Sequence, residues 1–229
     1  MTFNIDVILA NLTYLLWGRL ADGQPGGVLL TLMMALCAGV LALALGVALA
    51  CLAWRYPGWT RRALFIWAEI IRGIPLIFVI FWLFFLLPIL FGGSIPGPLT
   101  VILALAWFTS AAVMHTTLAG LNALPAGQVE AGLASGLGEW QILRRVLLPQ
   151  AMPNLLPSYI GLMVSLIKDT SLAFIVNVPE LTTVAGQVNN REQIYPTEIF
   201  VFIGVIYYLL CYGLSLLATR LGAPKPLSR

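Results

Sequence analysis

The chain has 229 residues, 60% hydrophobic and 9% charged, with a mean hydropathy of +0.96 and a formal net charge of +3. This composition excludes an ordinary soluble domain, makes the bilayer the solvent, and is too weakly basic for nucleic acid to be a partner. The length suits roughly four to six spans of about 20 residues each, in one bundle with no separate soluble domain.

Taken in chain order, residues 3–17 (FNIDVILANLTYLLW) place Ile5, Ile8, Leu9, Leu12 and Leu16 at helical spacing. About 15 residues are too few to cross a bilayer, so an interfacial helix is expected, with residues 1–27 forming that helix and a Gly/Pro linker. No Lys or Arg precedes Arg19, so the basic start of a cleavable signal peptide is lacking. Apolar runs then predict an all-α membrane domain over residues 28–221, with five spans at about 28–54, 63–91, 98–121, 158–178 and 199–219, and a tail at 222–229. Cys37, Cys51 and Cys211 lie inside these runs without the paired spacing of a disulfide framework or a metal site; they read as small packing residues.

Basic residues set the expected orientation. Arg55, Arg61, Arg62, Arg144, Arg145, Arg220, Lys225 and Arg229 follow spans one, three and five, whereas Arg19 and Arg191 alone occupy the opposite side. The N-terminus is therefore expected outside, and the C-terminus and the 122–157 loop in the cytoplasm.

That loop reads as two short helices, at about 126–135 and 139–147, turned by Gly136 and Gly138 and stopped by Pro149. Ala131, Gly132, Ala134 and Ser135 remove side-chain bulk from the first, so a partner can approach closely. In the second, Trp140, Leu143 and Leu147 form an apolar stripe, with Arg144 and Arg145 polar. Periodicity alone leaves two readings, an amphipathic hairpin resting on headgroups and a docking element for another protein.

The loop resembles the "EAA" signature of bacterial ABC importer permeases. Glu130, Ala131 and Gly132 are followed by three residues, Gly136, nine residues and VLLP (146–149), with Gly132 in place of the second alanine and Val146 in place of isoleucine. Further stretches resemble the polar amino acid branch of these permeases (histidine, glutamine, arginine, glutamate, opines): IIRGIPLI (70–77), LPAGQVEAG (124–132) and, most closely, LIKDTSLAFIVNVPEL (166–181). The resemblance implies a type I importer permease whose Glu130–Pro149 loop is gripped by a separate ATPase. It also implies a second permease subunit, identical or related, an extracytoplasmic amino-acid-binding protein, and a bacterial inner-membrane location. ATP and Mg²⁺ are then expected on the partner ATPase, and no cofactor on this chain. Consistent with that, neither of the two lysines, Lys168 and Lys225, follows a GxxxxG run.

Several residues read as substrate-path candidates. Lys168 and Asp169 fall near the centre of a span, where each costs about 2.5–3.5 kcal/mol to insert and so must face the bundle interior or water. Adjacent positions point about 100° apart on a helix, so the two cannot pair face to face. Either each pairs across a helix interface and fixes packing, or they line the path, with Thr170 and Ser171 as hydroxyl donors and both charges suited to a zwitterionic amino acid.

Arg72, with Glu69 three residues earlier as its partner, reads either as a snorkelling anchor or as a substrate contact; Gly73 and Pro75 beside it suggest a hinge. Aligned on Gly127 and Gln128, His115 and Leu118 stand where the branch carries glutamate and arginine. His115 is read as a packing residue or as a ligand or gating group. Competing functions are an ion- or proton-coupled secondary transporter, disfavoured by the lack of an inverted repeat, and an intramembrane enzyme, disfavoured by the lack of an aspartyl dyad, HExxH or GxSxG.

Overall fold

A computed structural model describes residues 4–93 and 95–221; the tail at 222–229, with Lys225 and Arg229, lies outside the described residues. The described chain is almost entirely helical. Helix α1 (Asp6–Trp17) leads into a small antiparallel ribbon, β1 (Gly18–Arg19) and β2 (Gln24–Pro25), and then into α2 (Gly27–Arg55). The rest runs α3 (Trp59–Gly73), α4 (Leu76–Phe91), α5 (Gly97–Asn122), α6 (Gly127–Ala134), α7 (Glu139–Ile142), a π turn (Leu143–Leu147), α8 (Leu148–Asp169), a 3₁₀ segment (Thr170–Val176), α9 (Leu181–Glu192) and α10 (Pro196–Leu221). Four of these runs are each long and apolar enough to span a bilayer, and the bent α3–α4 pair makes a fifth.

The second span carries the hinge expected at Gly73 and Pro75 and so is not one straight helix over 63–91: α3 and α4 meet at 96°. Pro75 is the cause: it has no N–H to give and forces Ile74 into extended backbone (φ −95°, ψ 130°), so the helix ends at Gly73. Nor does Pro149 stop the second loop helix, since α7, the π turn, α8 and the 3₁₀ segment form one helical run from Glu139 to Val176. A proline sits without penalty where no N–H partner is missed and the turn before it leaves room for its ring; the π turn directly ahead provides that place. The fourth span thus starts well before residue 158.

In α1, finally, the expected stripe is only partly the packing face: Ile8 is buried and Leu12 and Leu16 are half-buried, but its other two members are not. Val7, Ile8 and Leu15 are buried, while Ile5 and Leu9 are exposed, so apolarity alone did not identify the packing face. A helix in lipid gains little from hiding leucine, and packing shape decides instead.

The core is built around α2 and α5. Ala38, Ala42, Gly46 and Ala50 recur every four residues on α2 and are all buried. A Cβ on Gly46 would lie 2.7 Å from the Ser110 carbonyl oxygen of α5, so the two backbones are in near contact. Small residues at this spacing let helices associate where the hydrophobic effect offers no drive.

At the end of the bundle that holds α1, a second knot joins several elements. The carboxylate of Glu180 is fully buried and accepts from the Thr182 and Thr183 N–H groups (2.8 Å each), the Thr183 hydroxyl (3.1 Å) and the Tyr207 hydroxyl (2.9 Å). It therefore caps α9 and ties it to α10. Burial pushes its carboxyl above the usual range, and these hydrogen bonds pull it back. Glu180→Gln replaces an acceptor oxygen by a donor facing donors, at a cost of about 1–3 kcal/mol. The expected result is an apparent melting temperature in detergent lower by about 3–8 °C; an unchanged value would show that the knot is dispensable.

Candidate functional site: a charged cavity and a cytoplasmic hairpin

The break at Ile74–Pro75 leaves Arg72 at the last turn of α3, where it faces a cavity of about 160 Å³. Asp169, at the last residue of α8, faces the same cavity, whose walls also include Phe108, Thr109, Ala112, Leu162 and Ser165. A guanidinium and a carboxylate from different helices therefore look onto one small space, which Thr109 and Ser165 also line. Such a space has the chemistry to hold an ammonium and a carboxylate borne by one small molecule.

Among the described residues, Lys168 and Asp169 form no ion pair, and Lys168 is exposed. Thr170 turns its hydroxyl back onto the Ile167 carbonyl at 2.6 Å, and neither it nor Ser171 lines the cavity. The hydroxyls that do, Thr109 and Ser165, were not singled out from sequence. Ser165 sits four residues before Asp169 and so on the same helix face, a signal that was legible.

That face continues. Asn154, Ser158, Gly161, Ser165 and Lys168 follow helical spacing and are all exposed, and toward the α5–α6 end Asn154 and Ser158 line a second crevice of about 510 Å³ with Thr116, Ala119 and Gly120 of α5. Polar side chains at membrane depth belong against water or another subunit.

Glu69 lies 3.3 Å from Arg72, as the spacing suggests, and its carboxylate also lies 3.5 Å from His115 Nε2. The edge of Phe65 packs on the His115 ring, with centroids 4.8 Å apart. His115 thus faces the Glu69–Arg72 pair rather than the cavity lining. Leu118 is buried in an apolar cluster with Met114 and Ala68. Gly73 is exposed with open space around it, so its part in the break is permissive.

Beyond the C-terminal end of α5, the hairpin takes the expected form with two revisions. Gly136 adopts φ +75°, a left-handed turn that glycine reaches at no steric cost, and Gly138 opens α7 with its N–H donated to the Gln141 side chain at 3.0 Å. Gly132 does not present itself to an outside partner. It is buried, and a Cβ there would lie 2.7 Å from Ile142 Cγ1, so it lets α6 seat on α7 within the chain. Ile142, Leu143 and Leu147 form the buried stripe, and Trp140, expected in it, is 46% exposed. Glu130, Ala131, Ala134, Ser135, Leu133, Trp140, Arg144, Arg145 and Pro149 all face outward. An exposed leucine and tryptophan thus sit beside small residues and two arginines, a composition that suits a headgroup-resting face as well as a docking face.

Comparison with known proteins agrees with this architecture. Residues 42–225 match the family model described as "binding-protein-dependent transport system inner membrane component". The probable glutamine ABC transporter permease of Bacillus subtilis is 33% identical over 197 residues, covering 85% of this chain and 90% of that one. The glutamine transport system permease of Escherichia coli is 32% identical over 82% of this chain and 88% of its own length. A glutamate/aspartate import permease of Escherichia coli is 26% identical over 90% of this chain and 96% of its own. Among solved structures, an amino acid ABC transporter crystallised with histidines superposes with a TM-score of 0.81 over 97% of this chain and 99% of that one, at 23% identity. An inward-facing methionine ABC transporter gives a TM-score of 0.68 at 24% identity over 86% and 94% of the two chains. The chain belongs to the family of binding-protein-dependent transport system inner membrane components, as a multi-pass permease of its amino acid ABC transporter branch.

Proposed function

We propose that this permease carries a polar amino acid across the bacterial inner membrane, with Arg72 holding the substrate carboxylate and Asp169 its ammonium group. The observation that carries the reading is the shared cavity: two opposite charges on separate helices, with the Thr109 and Ser165 hydroxyls, face one space of about 160 Å³. The glutamine and glutamate/aspartate relatives support the substrate class. The exposed polar face of α8 supports a wet path shared with a second permease subunit, identical or related.

ATP is hydrolysed, in this reading, with Mg²⁺ on separate ATPase subunits that grip the α6–α7 hairpin through Glu130, Ala131, Arg144, Arg145 and their exposed neighbours. Gly132, buried against Ile142, shapes that hairpin from within, Gly136 turns it, and Pro149 lies on its exposed face. An extracytoplasmic binding protein delivers the amino acid to the opposite end of the bundle. The N-terminus lies outside and the C-terminus in the cytoplasm, as the arginine distribution supports.

The test is uptake of labelled L-glutamine, L-glutamate, L-arginine and L-histidine, with the extracytoplasmic binding proteins of the same cell supplied, into proteoliposomes holding the complex purified through a tag on this chain. MgATP-dependent uptake of at least one, together with a co-purified ATPase, is the expected result. Full uptake without ATP would overturn the reading in favour of an ion-coupled transporter.

A further inference from the structure

A hairpin gripped at one end of the bundle has to act on the other end; α7 runs covalently through α8 to Val176, and α2 adds a second link, with polar ties to both the hairpin and the Pro179–Leu181 junction. At its inner end the Arg55 guanidinium lies 2.5 Å from the Glu139 carboxylate, the first residue of α7. Arg55 also lies over the Tyr56 ring at 5.0 Å, and its Nε is buried with no other partner, so the side chain is held rather than free in solvent. Cys51, one turn back on α2, and Trp54, the residue before Arg55, pack in the same apolar cluster as Ile142, Leu143 and Leu147 of the hairpin. Charge and packing thus join the hairpin to the same turn of the helix.

Along its length α2 does not flex independently, because the Gly46 approach locks it backbone to backbone with α5. At its outer end, the Gly27 N–H donates to the Pro179 carbonyl at 2.9 Å, and the Thr31 hydroxyl oxygen accepts from the Leu181 N–H at 3.1 Å. These bonds flank Glu180, whose carboxylate joins α9 to α10. Thr31, Glu180 and Leu181 are all fully buried, so this end cannot slip without leaving polar groups unpaired. The 29 residues between the two ends span about 43 Å at about 1.5 Å per residue.

We infer that α2 is the tie-rod of this permease, and that Arg55 and Glu139 are the positioning residues that fasten the ATPase-facing hairpin to it. The inference rests on the reading of α6–α7 as the ATPase dock. Displacement of α7 pulls on Arg55, α2 and α5 move as one body, and the pull arrives at the Pro179–Leu181 junction, where it shifts α9. A half-exposed ion pair contributes little to stability, so removing it should spare the fold and loosen the transmission.

The experiment uses the complete transporter in nanodiscs, with Cys37 and Cys211 replaced by alanine, the buried Cys51 left in place, and Asn190→Cys introduced on the exposed last turn of α9. The labelling rate of that cysteine by a polar maleimide is compared with and without ATP plus orthovanadate. The parent is expected to change its rate several-fold on trapping. Arg55→Glu and Glu139→Arg should each cut that response by roughly threefold or more, the scale on which such pairs act, with the ATPase still co-purifying. The double variant Arg55→Glu/Glu139→Arg should restore it.

An unresponsive cysteine in the parent, single variants with an undiminished response, or a double variant that fails to recover would each overturn the tie-rod. If no ATPase co-purifies with the parent chain, the docking reading itself falls, a different result from any of these.

Discussion

Asp169→Asn is expected to raise the KM for uptake of the transported amino acid roughly ten- to hundredfold while leaving the ATPase bound to the complex. A hydrogen bond to a charged group contributes about 1.5–3 kcal/mol, and asparagine keeps the size of the side chain and one acceptor oxygen while removing the charge an ammonium group needs. The substitution leaves Arg72 in the cavity with only Glu69, one turn back on its own helix, to balance it, so solutes that lack an ammonium group should lose less affinity than amino acids do. Uptake against concentration for one amino acid and for its deaminated analogue therefore separates a substrate contact from a packing role. Equal KM values for wild type and variant would remove Asp169 from the site. A parallel loss of ATPase co-purification would instead indicate a damaged bundle.

The architecture was legible where the physics is local. Apolar length marked every span, a proline preceded by an extended residue marked the 96° break, and two glycines marked the hairpin turn. What stayed hidden depends on partners distant in the chain. Pro149 looked like a stop because the π turn that accommodates it leaves no compositional trace. Gly132 looked like space for an outside partner because nothing in the sequence says that Ile142 fills it. Arg72 and Asp169 were each identifiable as costly membrane charges, yet their convergence on one cavity needs the fold of α3 against α5 and α8. Thr170 shows the reverse error: a hydroxyl beside a charged pair appears available until the backbone claims it. Glu180 was overlooked although an acid directly before Leu-Thr-Thr is a recognisable helix start, because its value lies in Tyr207, far along the chain.

The same hidden contact gives the second large effect. Gly132→Leu places a Cβ 2.7 Å from Ile142 Cγ1 and three further carbons beyond it, in a seam where α6 already rests on α7. Overpacking of this kind costs about 1–3 kcal/mol in a full-sized core. A hairpin of two short helices has little else to absorb it, so α6 should lift off its neighbour. The expected outcome is at least a tenfold drop in co-purified ATPase, with membrane insertion unchanged and the melting temperature lowered by only a few degrees, because Ile142 shares a cluster with Cys51 of α2 and Val113 and Leu121 of α5 while the larger α2–α4–α5 core lies outside it. Adding Ile142→Ala vacates the volume the leucine needs and should recover most of the ATPase. Recovery identifies Gly132 as the residue that shapes the docking surface from within the chain. A Gly132→Leu/Ile142→Ala variant that still fails to bind would mean the leucine collides with the ATPase itself, and a single Gly132→Leu variant that binds normally would mean the α6–α7 seam has no part in docking.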